Sequence, residues 1–212
     1  RRSSDLIETA NVVAELKGSE KPDEWVVLGA HLDSWDLGTG ALDNGCNAAL
    51  VVDALRAIKD SKVPLRRSVR FILFSGEEEG LLGSWAYVRA HREELNNAIA
   101  AVIFDDGNGR ITGFSLSGRK DLVPAVARLI APLKRDQVEK ITNDASADTD
   151  NYDFFLEGVP TLVGVQDEAN YLINYHAMSD TFDKVDLNDL KKHVAIAADV
   201  TYALASNPER LG

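Results

Sequence analysis

Three apolar runs in this chain stop abruptly at acidic residues. Trp25-Val26-Val27-Leu28-Gly29 leads into Ala30-His31-Leu32-Asp33. Ser68-Val69-Arg70-Phe71-Ile72-Leu73-Phe74 runs through Ser75-Gly76 into Glu77-Glu78-Glu79. Ala98 to Phe104 ends at Asp105-Asp106-Gly107. Short runs rich in β-branched and aromatic residues read as buried strands. Helical patterns follow the first two, over Asn47–Lys62 and roughly Leu82–Leu95, the latter with Trp85, Val88 and Leu95 as core contacts. Strands alternating with helices give an α/β domain, a largely parallel sheet between helical layers. Parallel neighbours present their C-terminal ends to one side, where ligands bind in such sheets. The acidic clusters are therefore expected to converge.

The other segments fit one domain spanning 1–212. Thr9 to Lys17 alternates as a strand, and a turn at Gly18–Asp23 pairs it with Val26–Gly29. Ile111–Leu116 and Thr161–Val165 read as strands, Asp121–Leu133 and Leu187–Ser206 as helices, and Thr149–Leu156 as a short helix. Val138 to Ser146 is weakly patterned, and Tyr171 to Asp186 is a loop carrying His176. No internal repeat or linker interrupts this order.

Charge narrows the partners. A formal net charge of −11 argues against nucleic acid or an anionic membrane surface. No run of about 18 apolar residues is present, so no membrane span is expected. The single cysteine, Cys46, excludes an intrachain disulfide. The chain opens Arg1-Arg2-Ser3-Ser4-Asp5, without a starting Met or an apolar signal core, and is read as a mature form or an excised domain.

Singly, the acidic residues have ordinary explanations. Asp33 and Asp43 suit helix caps or turns. A Glu run suits a helix start, and a lone His176 suits a surface. Together they pose an electrostatic problem, because carboxylates gathered without Lys or Arg repel one another. A bound divalent cation reverses that cost, and imidazole with carboxylates is a donor set for zinc. His31 and Asp33 lie two apart and face the same way on extended chain. Gly76 and Gly80 permit the bend at the adjacent Glu77 and Glu78.

Several strings occur in one order: His31-Leu32-Asp33-Ser34-Trp35-Asp36, Gly40-Ala41-Leu42-Asp43-Asn44-Gly45 and Phe74-Ser75-Gly76-Glu77-Glu78-Glu79-Gly80-Leu81-Leu82-Gly83-Ser84. Thr149-Asp150, Gly158-Val159-Pro160 and His176 with Asp180-Thr181 follow. Together they resemble the M28 family of zinc peptidases, and the first string is similar to its carboxypeptidase Q branch. The resemblance implies a three-layer α/β/α sandwich with a mixed, largely parallel sheet, of the phosphorylase/hydrolase-like type. It implies two Zn2+ ions, with Asp43 as bridge, His31 and Asp106 completing one site, and Glu78 and His176 the other. Glu77 matches the general base, and Asp33 a carboxylate holding the His31 imidazole. Alignment on the preceding apolar run favours Asp106 over Asp105 as ligand; Asp105 is left to support it or to face a substrate amino terminus.

The implied reaction is hydrolysis of dipeptides or short peptides with a free amino terminus, in a secreted, periplasmic or lysosomal-type compartment, with a homodimer as a possible assembly. Two alternatives share the fold: a receptor-like zinc-binding protein without catalysis, and a single-zinc glutaminyl cyclase-type acyltransferase. Cys46-Asn47 departs from the family's small residues after the Asp-Asn-Gly string. A thiol there is either activated by the helix N-terminus or a small buried side chain. Asp36 is left as a turn residue. Trp35, Tyr171 and Tyr175 are candidates for an apolar wall.

Overall fold

Alternate side chains of one strand set the layers. A computed structural model describes residues 8–211; the Arg1–Asp5 start lies outside them. Strand β2 (Lys21–His31) points Val26, Leu28 and Ala30 to one face of the sheet and Trp25 and Val27 to the other. Helix α1 (Cys46–Ser61) follows it. Its Leu50, Val51, Ala54 and Ile58 form a stripe at helical spacing and join the first face. Strand β3 (Arg67–Phe74) repeats the alternation, with Val69 and Phe71 on the first face and Ile72 and Phe74 on the second. Helix α2 (Leu82–Ala90) lies on the second, contributing Tyr87 and Val88.

Strands β4 (Ala98–Ile103), β5 (Ile111–Ser115), β6 (Lys140–Thr142) and β7 (Thr161–Gln166) complete seven strands in the order β1-β3-β2-β4-β7-β5-β6. β1 is Val12–Leu16. β3, β2, β4 and β7 are parallel, whereas β1 and β5 run antiparallel to their neighbours β3 and β7. Helices α3 (Val123–Ile130) and α5 (Leu187–Ser206) join α1 on the first face. Helix α4 (Asn151–Leu156) joins α2 on the second through Phe154. The expected three-layer sandwich with a mixed sheet is the observed one.

Five details differ from the sequence reading. β1 pairs with β3, not β2, so the 18–23 turn is a crossing and β2 is an interior strand. The helix expected to reach Leu95 stops at Ala90 and tightens into a 3-10 segment, Arg92–Asn97. Trp85 is exposed, because the buried stripe of α2 runs through Gly83, Ser84, Tyr87 and Val88; the Arg89 guanidinium covers its ring. The helix expected over 121–133 is α3 flanked by 3-10 turns, one starting at Ala131-Pro132, where proline supplies no N–H. The weakly patterned 138–146 segment holds β6, an edge strand too short and exposed to alternate visibly.

The four parallel strands all deliver their C-terminal ends to one edge. The loops after β2, β3, β4 and β7 leave from that edge and carry the candidate residues. Leu28, fully buried in β2, is central to this arrangement. Leu28→Ala is expected to cost about 2–5 kcal/mol, read from the midpoint shift in urea denaturation.

Candidate metal centre

β2 ends at His31, which is buried. Nδ1 donates to the Asp33 main-chain carbonyl at 3.0 Å. A carbonyl only accepts, so this bond assigns the proton to Nδ1 and turns Nε2 toward the acids. Nε2 stands 2.8 Å from Asp105 Oδ1, 3.2 Å from Asp43 Oδ1 and 3.9 Å from Glu77 Oε2. On the other side, His176 Nε2 lies 2.9 Å from Glu78 Oε2 and 3.3 Å from Asp43 Oδ2. The two oxygens of one carboxylate, Asp43, thus face two histidines.

Sheet register explains why Asp105 and not Asp106 reaches His31. Gly29 is paired with Ile103 in adjacent parallel strands. Continued by two residues, that register sets His31 beside Asp105. Phe104 follows Ala100 and Val102 into the first-face core, so Asp105 takes the opposite side and Asp106 does not. Asp106 is exposed and belongs to neither histidine's group. The structure thus brings Asp105, and not the expected Asp106, to His31 and Asp43. The signal was present in the sequence, as the alternation that makes Phe104 the last inward residue of the run.

Asp33 also works differently from expectation. Its carboxylate is 3.8 Å from His31 Nδ1. It instead accepts from the Glu77 amide at 3.1 Å and the Glu78 amide at 3.2 Å. The carboxylate ties the β2 loop to the β3 loop, and the main-chain carbonyl orients the imidazole.

A residue given no role in the sequence reading has a parallel task. Asp180, buried, accepts from the Leu42 amide at 2.7 Å and the Asp43 amide at 3.0 Å. It fixes the segment that carries Asp43, where the 43–44 peptide is cis. His176 sits at φ 53°, a left-handed conformation costly for a residue with a Cβ. Tyr175 stacks on its ring at 3.6 Å, and Trp35 lies 5.2 Å away on a tilted plane.

Cys46 is a buried thiol whose Sγ donates to the Leu42 and Gly107 carbonyls. Burial pushes it up to about 12. Of the two readings of Cys46, the small buried side chain is the one observed. Asp36 is an exposed turn residue.

The charges do not balance. Burial and the neighbouring Asp105 push Glu77 up to about 8. Burial and Asp43 push Glu78 up to about 7. Asp105 is raised by burial, against the pull of His31. Asp150, buried with both oxygens unpartnered, is pushed to about 7 by burial. Burial alone would lower His31, but Asp105 and Asp43 outweigh it and hold it at about 12.

These residues fit a divalent metal. His31, Asp43 and Asp105 converge within one ion's reach, as do Asp43, Glu78 and His176. Asp43 Oδ2, Glu78 Oε1 and His176 Nε2 are buried without hydrogen-bond partners. His176 Nε2 approaches two carboxylates closely yet makes no hydrogen bond to either. Nitrogen and carboxylate donors arranged this way suit zinc.

Residues 11–201 match the sequence profile of Peptidase family M28. Carboxypeptidase Q of Rattus norvegicus is 32% identical over 204 residues, covering 95% of this chain and 42% of its own. Among solved structures, a Peptidase M28 precursor from Shewanella amazonensis SB2B superposes with a TM-score of 0.90 at 35% identity, over 95% of this chain and 46% of that one. BSAP, a zinc aminopeptidase from Bacillus subtilis, shares the fold at a TM-score of 0.76 and 22% identity, over 91% of this chain and 49% of that one. The chain therefore spans less than half the length of these relatives.

The raised groups give the metal-free protein a defined pH response. Glu77, Glu78 and His31 all bind protons more tightly folded than unfolded. The folded chain then holds the extra protons, and stability falls as pH rises. The loss begins near the ordinary carboxylate range and continues through about 8. With EDTA present, the melting temperature is expected to fall steadily from pH 5 to pH 8.5, and saturating zinc to suppress that fall. A melting temperature that rises over this interval in EDTA contradicts the assignment.

Proposed function

The chain belongs to peptidase family M28, and on that premise we propose that it is the catalytic domain of a di-zinc exopeptidase acting on dipeptides or short peptides with a free amino terminus. The observation that carries this reading is the Asp43 carboxylate, whose two oxygens lie 3.2 Å and 3.3 Å from two different histidines. His31, Asp43 and Asp105 would hold one ion; Asp43, Glu78 and His176 the other. Zinc, when bound, supplies Lewis acidity, which acidifies water and polarises a carbonyl.

The chain's own groups do the rest. In this reading Glu77 takes the proton of the attacking water on its carboxylate and passes it to the amine nitrogen as the C–N bond breaks. Asp33 holds the Glu77 and Glu78 amides, so base and ligand stay in one frame. Asp180 fixes the Asp43 amide and thereby the aim of its carboxylate. No helix among the described residues is long and apolar enough to cross a membrane.

Metal analysis of the purified chain is expected to return two zinc ions. Glu77→Gln is expected to keep both while losing about 10²–10⁴-fold in dipeptide hydrolysis. Full activity in that variant sinks the mechanism. One zinc per chain, with pyroglutamate formed from N-terminal glutamine, supports an acyltransferase instead. Tight zinc binding with no turnover of any dipeptide supports a receptor-like role.

Asp180→Ala removes the acceptor for two amides of the Asp43 loop. It is expected to weaken zinc binding by about 10–100-fold, measured by competition with a fluorescent chelator, without unfolding the chain by circular dichroism.

A further inference from the structure

A cavity of about 300 Å3 opens against the centre, and Asp105 belongs to both. Two further carboxylates line it, Asp106 and Asp148, and no Lys, Arg or His does. Among the described residues neither forms an ion pair with a cationic side chain. Ser146 Oγ donates to Asp148 Oδ1 at 3.1 Å and orients it. Thr149, 4% exposed, lines the same cavity beside Asp105. The remaining wall is aromatic. Tyr171 and Tyr175 meet edge to face with centroids 5.4 Å apart. Tyr171 is seated by Gly107, where an added Cβ would fall 2.6 Å from the ring.

We propose that this pocket takes the cationic side chain of a lysine or arginine residue adjoining the scissile bond. The proposal rests on the peptidase reading above and specifies the substrate class of that site. The carboxylates supply opposite charge and acceptor oxygens for the N–H donors of a cationic side chain. The tyrosine faces cover an alkyl stem and attract a cation. An acidic side chain would meet uncompensated like charge. A free α-amino group is too small to need the aromatic wall or this volume, and it stays on the main chain at the centre.

The test compares lysine with norleucine, whose alkyl chain of equal carbon count lacks the terminal ammonium. In the full zinc-loaded chain, kcat/KM for Lys-Ala is expected to exceed that for norleucyl-Ala by about tenfold. Ala-Lys against Ala-norleucine determines on which side of the bond the pocket lies. Asp106→Asn with Asp148→Asn is expected to bring the favoured ratio near one, through KM rather than kcat. A ratio at or below one in both orders, or an unchanged ratio in the double variant, overturns the proposal. Cleavage of neither substrate would count against the peptidase reading. The pocket is read separately, by calorimetric binding of N-acetyl-lysinamide against N-acetyl-norleucinamide, which lack a free α-amine. Equal affinity there overturns the cationic pocket, whether or not any bond is cleaved.

Discussion

One carboxylate is placed between two histidines, and the local structure serves that placement. Asp43 turns one oxygen to each imidazole, and its Oδ2 has no hydrogen-bond partner. Around it stand Glu77, Glu78 and Asp105, close enough to raise one another's proton affinity. Burying so many like charges is unfavourable unless protons or cations neutralise them. In the metal-free chain protons would do so, as the raised proton affinities of Glu77 and Glu78 indicate. Divalent ions remove the same cost over the whole pH range and release those protons.

The sheet supplies the coordinates for this. His31 and Asp105 extend a register already fixed by Gly29 and Ile103, so their separation is set by strand spacing rather than by loop conformation. The flexible components are pinned by acids outside the two metal-binding groups. Asp33 joins the β2 and β3 loops, and Asp180 joins the long 167–186 segment to the Asp43 loop. The left-handed His176 depends on that second tie and on the Tyr175 ring against it.

Much of this was legible in the sequence because it depends on period and order. Apolar runs ending in acids located β2, β3 and β4 and the edge where they converge. Leu187–Ser206 was readable to both ends, because its apolar stripe is long and Asp186 caps it. Other features depend on distant partners and were not readable. The pairing of β1 with β3 is a choice between equally suitable neighbours. The Asp33 side chain had two amides within reach that no spacing rule reveals. Asp180 acts on residues far away in sequence. Counting along the apolar run points to Asp106, whereas following the face to which Phe104 points leads to Asp105, the residue that reaches His31. Asp106 instead lines a cavity with Asp105 and Asp148.

The most direct measurement is anomalous diffraction at the zinc edge from crystals of the chain. Two peaks about 3.5–4 Å apart are expected, straddling the Asp43 carboxylate. One should lie against His31 and Asp105 and the other against Glu78 and His176. A single peak, or a peak coordinated by Asp106 in place of Asp105, contradicts the account.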